Sequence, residues 1–147
     1  MKKILIITSL FIAFHFSGFT QEKENNELRI PTTFQTDFPG ASEISWQEGV
    51  EFNKVSFSFS GHVMVAYYKP GGEFIAASRN ISSFQLPLRL LTSLKTNFDR
   101  YWITDLFELS INDNTEYYVT LENATEKKIL IATGSDWELY DTISKED

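Results

Sequence analysis

One amphipathic segment, residues 81–100, constrains this chain more than any other stretch. Within ISSFQLPLRLLTSLKTNFDR, residues Pro87, Leu91, Leu94 and Phe98 recur at i, i+4, i+7 and i+11, and Leu90 widens the stripe. Apolar residues at that spacing fall on one side of an α-helix. Arg89, Thr92, Lys95 and Thr96 fall on the other side, with Lys95 and Arg100 toward the end where the helix dipole favours positive charge. Pro87 suits a first-turn position, because its missing N–H has no intrahelical partner there. Strand-like segments flank this helix on both sides, so its apolar stripe has a sheet to cover.

Before the helix, residues 54–60 alternate cleanly: Val55, Phe57 and Phe59 take one side, Ser56, Ser58 and Ser60 the other. That is the pattern of a half-buried antiparallel strand. Residues 43–48, 63–69 and 73–79 read as three more strands, separated by turns at 49–51, 61–62 and 70–72. After the helix, four strands are expected at 101–111, 116–122, 128–133 and 137–143, with turns at 112–114, 123–127 and 134–136. Asp105 interrupts the apolar parity of Ile103, Phe107, Leu109 and Ile111, which predicts a shift or bulge in the ladder there. A shorter helix starts at Ile30-Pro31, carries Phe34 and Phe38 at i, i+4, and stops at Pro39-Gly40.

The second half echoes the first. Phe34-x-x-x-Phe38 is answered by Leu94-x-x-x-Phe98, Val55-x-Phe57-x-Phe59 by Tyr117-x-Val119-x-Leu121, and the turn at 70–72 by the one at 134–136. The expected fold is α+β: two tandem units, each a helix plus a four-stranded antiparallel sheet, with both helices on one sheet face and the other face open. In this reading Phe34, Phe38, Leu91, Leu94 and Phe98 bury against Val55, Phe57, Val119 and Leu121. Trp46 and Trp137 share parity with apolar neighbours and are expected in the core.

Residues 1–20 read as a secretory signal peptide: Lys2 and Lys3, an apolar run over 4–16, then Ser17, Gly18 and Thr20 before polar Gln21. The run is shorter than the ~20 apolar residues a spanning helix needs. The expected organisation is a signal peptide at 1–20, a flexible lead-in at 21–29, one domain at 30–143 made of repeats at 30–80 and 81–143, and a frayed tail at 144–147. Removing Lys2 and Lys3 takes the formal net charge from −7 to −9. That charge argues against nucleic acid and anionic membrane surfaces as partners. The chain is therefore expected to be exported, periplasmic or secreted, without stable membrane insertion. There is no cysteine, so the fold uses no disulfide, and its length suffices for a core without one.

Catalytic groups are scarce. His62 is the one histidine outside the signal segment, and a cysteine–histidine dyad is impossible. One histidine with carboxylates is a poor zinc set. Asn112, Asp113, Asn114 and Glu116 bring oxygen ligands together, but lack the spacing and glycine of a calcium loop and suit a hairpin turn equally well. Gly71-Gly72 lacks phosphate-loop spacing. No cofactor, no metal and no enzymatic activity are expected. The open sheet face is the better lead. Parity opposite to the core places Ser56, Ser58, Met64, Tyr68, Tyr118, Thr120 and Tyr140 outward, and tyrosines among small hydroxyls suit a protein interface. The expected function is protein binding through that face, with an exported protein as partner. A small ligand or envelope glycan on the same residues is the alternative.

These residues also carry a resemblance. Ile30-Pro31-x-x-Phe34-x-x-x-Phe38-Pro39-x-Ala41-x-x-Ile44-x-Trp46 resembles the opening of the PepSY-like proteins of Bacteroidetes, which are related in fold to the β-lactamase-inhibitor protein. The similarity continues through Val55-x-Phe57, residues 67–72, residues 81–87 and Tyr118-Val119. Trp102 and residues 105–107 depart from the pattern, which leaves the register of the second repeat open. The resemblance implies an export signal, two helix-plus-sheet units and no catalytic residues, and through its fold it implies inhibition of an exported enzyme as one form of binding by the open sheet face.

Overall fold

The computed structural model describes residues 32–145. The expected signal peptide, the lead-in, Ile30-Pro31 and the last two residues lie outside them. Helix α1 (Thr32–Asp37) precedes strands β1 (Ser42–Gln47), β2 (Asn53–Phe59), β3 (His62–Tyr68) and β4 (Phe74–Asn80). A 3-10 turn (Ser83–Gln85) leads to helix α2 (Leu88–Asn97), followed by β5 (Trp102–Ile111), β6 (Asn114–Glu122), β7 (Glu126–Ala132) and β8 (Glu138–Ser144). All eight strands join one antiparallel sheet in the order of the chain. The class is α+β, an open sheet with two helices.

The long helix is shorter than its sequence pattern. Residues 81–86 are not α-helical, and Pro87 stands just before the helix instead of inside its first turn. The cause is local: a proline pushes the residue before it out of the helical region, and Leu86 is extended at φ −66°, ψ 148°. Gln85 then turns back, its Oε1 accepting the Ser82 N–H at 2.8 Å. Within α2, Leu90 and Leu94 are buried and Leu91 and Phe98 half-buried, while Pro87 is exposed.

Two hairpins fix the register on either side of the sheet. Ser60 and Gly61 both have positive φ (51° and 80°), as do Asn112 and Asp113 (48° and 63°). Such two-residue loops match the twist of paired strands, and they pair Phe59 with His62 and Ile111 with Asn114. The Asn-Asp-Asn run is thus a hairpin. The ladder of β5 shifts between Ile103 and Asp105, where the sequence pattern broke. The expected frayed tail is tied down in part: Ser144 pairs with Glu126, the Lys145 N–H donates to Thr125 O at 2.8 Å, and Lys145 Nζ lies 2.5 Å from Glu122 Oε1.

The core has three parts. On the helix-covered face, Phe34 meets Phe57, Tyr68, Val55 and Ala66, with Phe38 and Trp46 around them. On the same face of the second half, Leu94 meets Ile81, Leu86, Leu106, Val119, Leu121 and Leu130, with Leu91, Phe98 and Trp137 alongside. Trp137 is fixed by its Nε1–H donating to Leu90 O at 3.0 Å. The third part, Tyr67, Ala76, Phe107, Leu109 and Tyr118, lies on the opposite face.

Candidate binding face

The helix-free face is defined by register. Val55 and Phe57 pack under α1, so their neighbours Ser56 and Ser58 point the other way, together with their cross-strand partners Val65 and Val63. The same alternation carries Tyr67, Ser78, Phe107, Leu109, Tyr118, Thr120 and Ile131 onto this face. Ser56, Ser58, Tyr118 and Thr120 therefore lie on the helix-free face, but Tyr118 and Thr120 are buried there instead of standing outward. Tyr140 lies close enough to Tyr118 to act on it electrostatically.

Met64 and Tyr68 do not. Both face α1: Met64 packs against the Phe34 cluster, and Tyr68 is a buried member of it. The Tyr68 ring meets Phe34 edge-on at 6.3 Å and Phe74 at 5.5 Å. Its Oη donates to Asp37 Oδ2 at 3.1 Å. Burial, with the Asp37 carboxylate beside it, holds its hydroxyl well above the usual tyrosine range. Tyr68 thus anchors α1 and has no place on the open face.

What sequence parity missed is that Tyr67, Phe107 and Leu109 join Tyr118 there in a buried apolar floor. Tyr67, Phe107, Leu109 and Tyr118 are each at most 3% exposed. Among the described residues, their hydrophobic neighbours come from strands and from Phe52, in the β1–β2 connection. Phe52 meets Tyr67 at 5.6 Å, edge to face. Gly49 shapes that connection: a Cβ there would stand 2.3 Å from Phe52 O. Phe107 and Tyr118 stack flat, centroids 4.9 Å apart with planes 2° from parallel. Tyr118 Oη donates to Glu116 Oε2 at 2.7 Å, and burial together with that carboxylate pushes its pKa far up. Burial also pushes the Tyr67 hydroxyl up to about 12, with nearby Ser78 drawing it slightly down. Tyr67 Oη is enclosed without a partner of hydrogen-bond geometry.

Around this floor the margin is mixed. Ser58 Oγ donates to Glu43 Oε2 at 2.5 Å and Asp105 stands half-buried, while apolar Val63 is 72% exposed. The chain's own side chains already close over this floor, so the accessible part of the face is its margin, where Val63 is exposed and Ser56, Ser58 and Val65 are half-buried. For catalysis the described residues bring little together. His62 is exposed at the start of β3, and no three His, Asp or Glu side chains are grouped to hold a metal ion. No helix among the described residues is long and apolar enough to cross a membrane.

No protein-family profile and no curated protein matches this chain. Solved structures do. The fold is similar to a BLIP-like protein from Bacteroides fragilis, with a TM-score of 0.67 at 18% identity, over 78% of this chain and 84% of that one. It is similar to a DUF2874 family protein from Bacteroides ovatus, with a TM-score of 0.69 at 11% identity, over 82% and 89%. A protein from Bacteroides eggerthii, provisionally described as periplasmic, gives a TM-score of 0.65 at 10% identity, over 76% and 83%. At such identities the likeness is one of fold: a BLIP-like α+β sheet.

Proposed function

We propose that this protein is an exported binding domain of the PepSY-like kind, built of two helix-plus-sheet units, that holds another exported protein across its helix-free face. It acts by binding and not by catalysis. An exported enzyme, held and thereby inhibited, is the partner that likeness to a BLIP-like fold favours; fold alone does not fix function, so the face itself must carry the reading. The observation that carries it is the accessible apolar surface of exposed Val63 and half-buried Val65 and Ile131, over the buried cluster of Tyr67, Phe107, Leu109 and Tyr118, on the side away from both helices. An antiparallel sheet with one solvated face ordinarily turns polar residues outward there. Accessible apolar residues on that face, beside half-buried Ser56 and Ser58, suit a partner.

The test uses exposed Val63 and half-buried Ser56, at the margin of this face. A Val63→Arg, Ser56→Arg double variant is expected to lose partners that the unaltered protein captures from a Bacteroides periplasmic extract. Thr92→Arg, on the outer side of α2, is expected to retain them. Titration of the purified partner by calorimetry should give a saturable complex. Equal capture by both variants removes the helix-free face from the reading, and saturable binding of a glycan or small molecule instead of a protein replaces it.

A further inference from the structure

β4 ends at Asn80, but β5 begins at Trp102 and runs past it. The ladder between them closes with Asn80 opposite Phe107 and a last bond from the Ile81 N–H to Leu106 O at 3.0 Å. Beyond that bond, residues 102–105 have no strand on the β4 side. The gap is a cleft of about 330 Å³ lined by residues 80–83 and 103–106, and within it Asp105, opposite Thr120, belongs to the helix-free side of the ladder.

One charged group lines it, the carboxylate of Asp105. The other structured acids nearby have cations: Glu108 has Arg79 at 2.6 Å, Glu126 has Lys128 at 3.1 Å, and Glu122 has Lys145 and Lys127. Asp105 is acted on by burial, which raises its pKa, and by the Leu106 N–H, which lowers it; no cationic side chain among the described residues is paired with it. A half-buried carboxylate without a counter-ion is costly unless something supplies one. The walls suit a long cationic side chain. Ile103, 41% exposed, offers apolar surface to methylenes, while Asn80, Ser82 and Ser83 add oxygen acceptors for spare N–H donors. A divalent metal would need more carboxylates than one.

We propose that this notch receives a lysine or arginine side chain of the protein held on the helix-free face, with Asp105 as its counter-ion. The inference depends on the binding reading above for its occupant. It adds a specificity element: the rim selects a partner that presents a basic residue beside the apolar floor, in keeping with the acidic charge of the chain.

The experiment needs no partner. Nα-acetyl-lysine N-methylamide, its arginine counterpart and the uncharged norleucine counterpart are titrated into the protein, and amide NMR shifts are followed. Saturable shifts at residues 80–83 and 103–106 are expected with the two cationic probes and not with norleucine. Asp105→Asn is expected to weaken the response on the order of tenfold, as for loss of a hydrogen bond to a charged group. Ser83→Lys, which brings an ammonium into the cleft from the chain itself, should abolish it. Absence of saturable shifts, equal shifts with norleucine, or full response in Asp105→Asn overturns the notch. Probe binding with failed partner capture removes the binding reading alone; capture without probe binding removes the notch alone.

Discussion

The two faces of the sheet solve different problems. Under the helices the core is split in two. The Phe34 cluster holds buried residues of the first half alone, and the Leu94 cluster holds buried residues of the second half alone. The helix-free face carries the cluster that spans both, with Tyr67 and Ala76 from one half and Phe107, Leu109 and Tyr118 from the other. The ladder at the seam is short, four residue pairs from Ala77–Ser110 to Asn80–Phe107, against nine between β5 and β6. The Arg79–Glu108 pair at 2.6 Å adds to it. The helices therefore stabilise each half, while the opposite face joins the halves. A partner seated there would grip the joint.

The largest expected effect lies under the short helix. α1 has six residues, too few to hold a helix without docking. Phe34 supplies the dock, 1% exposed and edge-on to Phe57 at 4.9 Å. Phe34→Ala should cost about 3–5 kcal/mol in denaturant unfolding. Hydrogen exchange should rise in β1–β3 and remain slow in β6 and β7. Uniform loss of protection through all eight strands would mean that the two helix-side cores are not separate.

Next comes the joint. Leu109→Ala should cost about 2–4 kcal/mol and also separate the transitions of the two halves, seen as a lower apparent m-value or two steps by local probes. A single sharp transition with an unchanged m-value would show that the seam ladder suffices without the helix-free cluster.

The smallest effect is one of pH. The folded protein holds the Tyr67 proton more tightly than the unfolded chain does, up to about 12 against an ordinary 10.0. The stability linked to that proton is complete below pH 10 and is lost as pH rises toward 12. The loss is on the order of 2 kcal/mol over that window. Tyr67→Phe should show a shallower decline, with a remaining slope from Tyr68 and Tyr118, whose hydroxyls are raised as well. Identical slopes would mean that Tyr67 ionises as an exposed phenol.

Much of this fold was legible because period and punctuation agree. All eight strands fall within a residue or two of the segments their alternation marked, and the irregularity at Asp105 is a real break in register. Two misreadings have physical causes. The apolar stripe of 81–100 begins only at Pro87, and that proline ends any helical reading of 81–86 by forcing Leu86 into an extended conformation. In β3 every residue from Val63 to Tyr68 is apolar or aromatic, so alternation cannot choose a face. The turn could have chosen it: a two-residue hairpin loop pairs odd-numbered residues with even-numbered ones, so Val55 and Phe57 share a face with Met64, Ala66 and Tyr68. The apolar floor was hidden for the same reason, because Leu106 and Phe107 are both apolar and parity inside one strand does not say which side each takes. The cleft at Asp105 arises where one strand outlasts its neighbour, a matter of relative length that no local pattern encodes.

The sequential order of the strands has one more consequence, and it concerns time. Every ladder joins a strand to the next one along the chain. Each pairing closes a short loop except at the seam, where β4 meets β5 across α2. Short closures are entropically cheap and fast. Hairpins on either side can form independently, and the bond that must wait is the one across the seam. Assembly of the joint, and of the surface that spans it, is then the final event on the way to the native state.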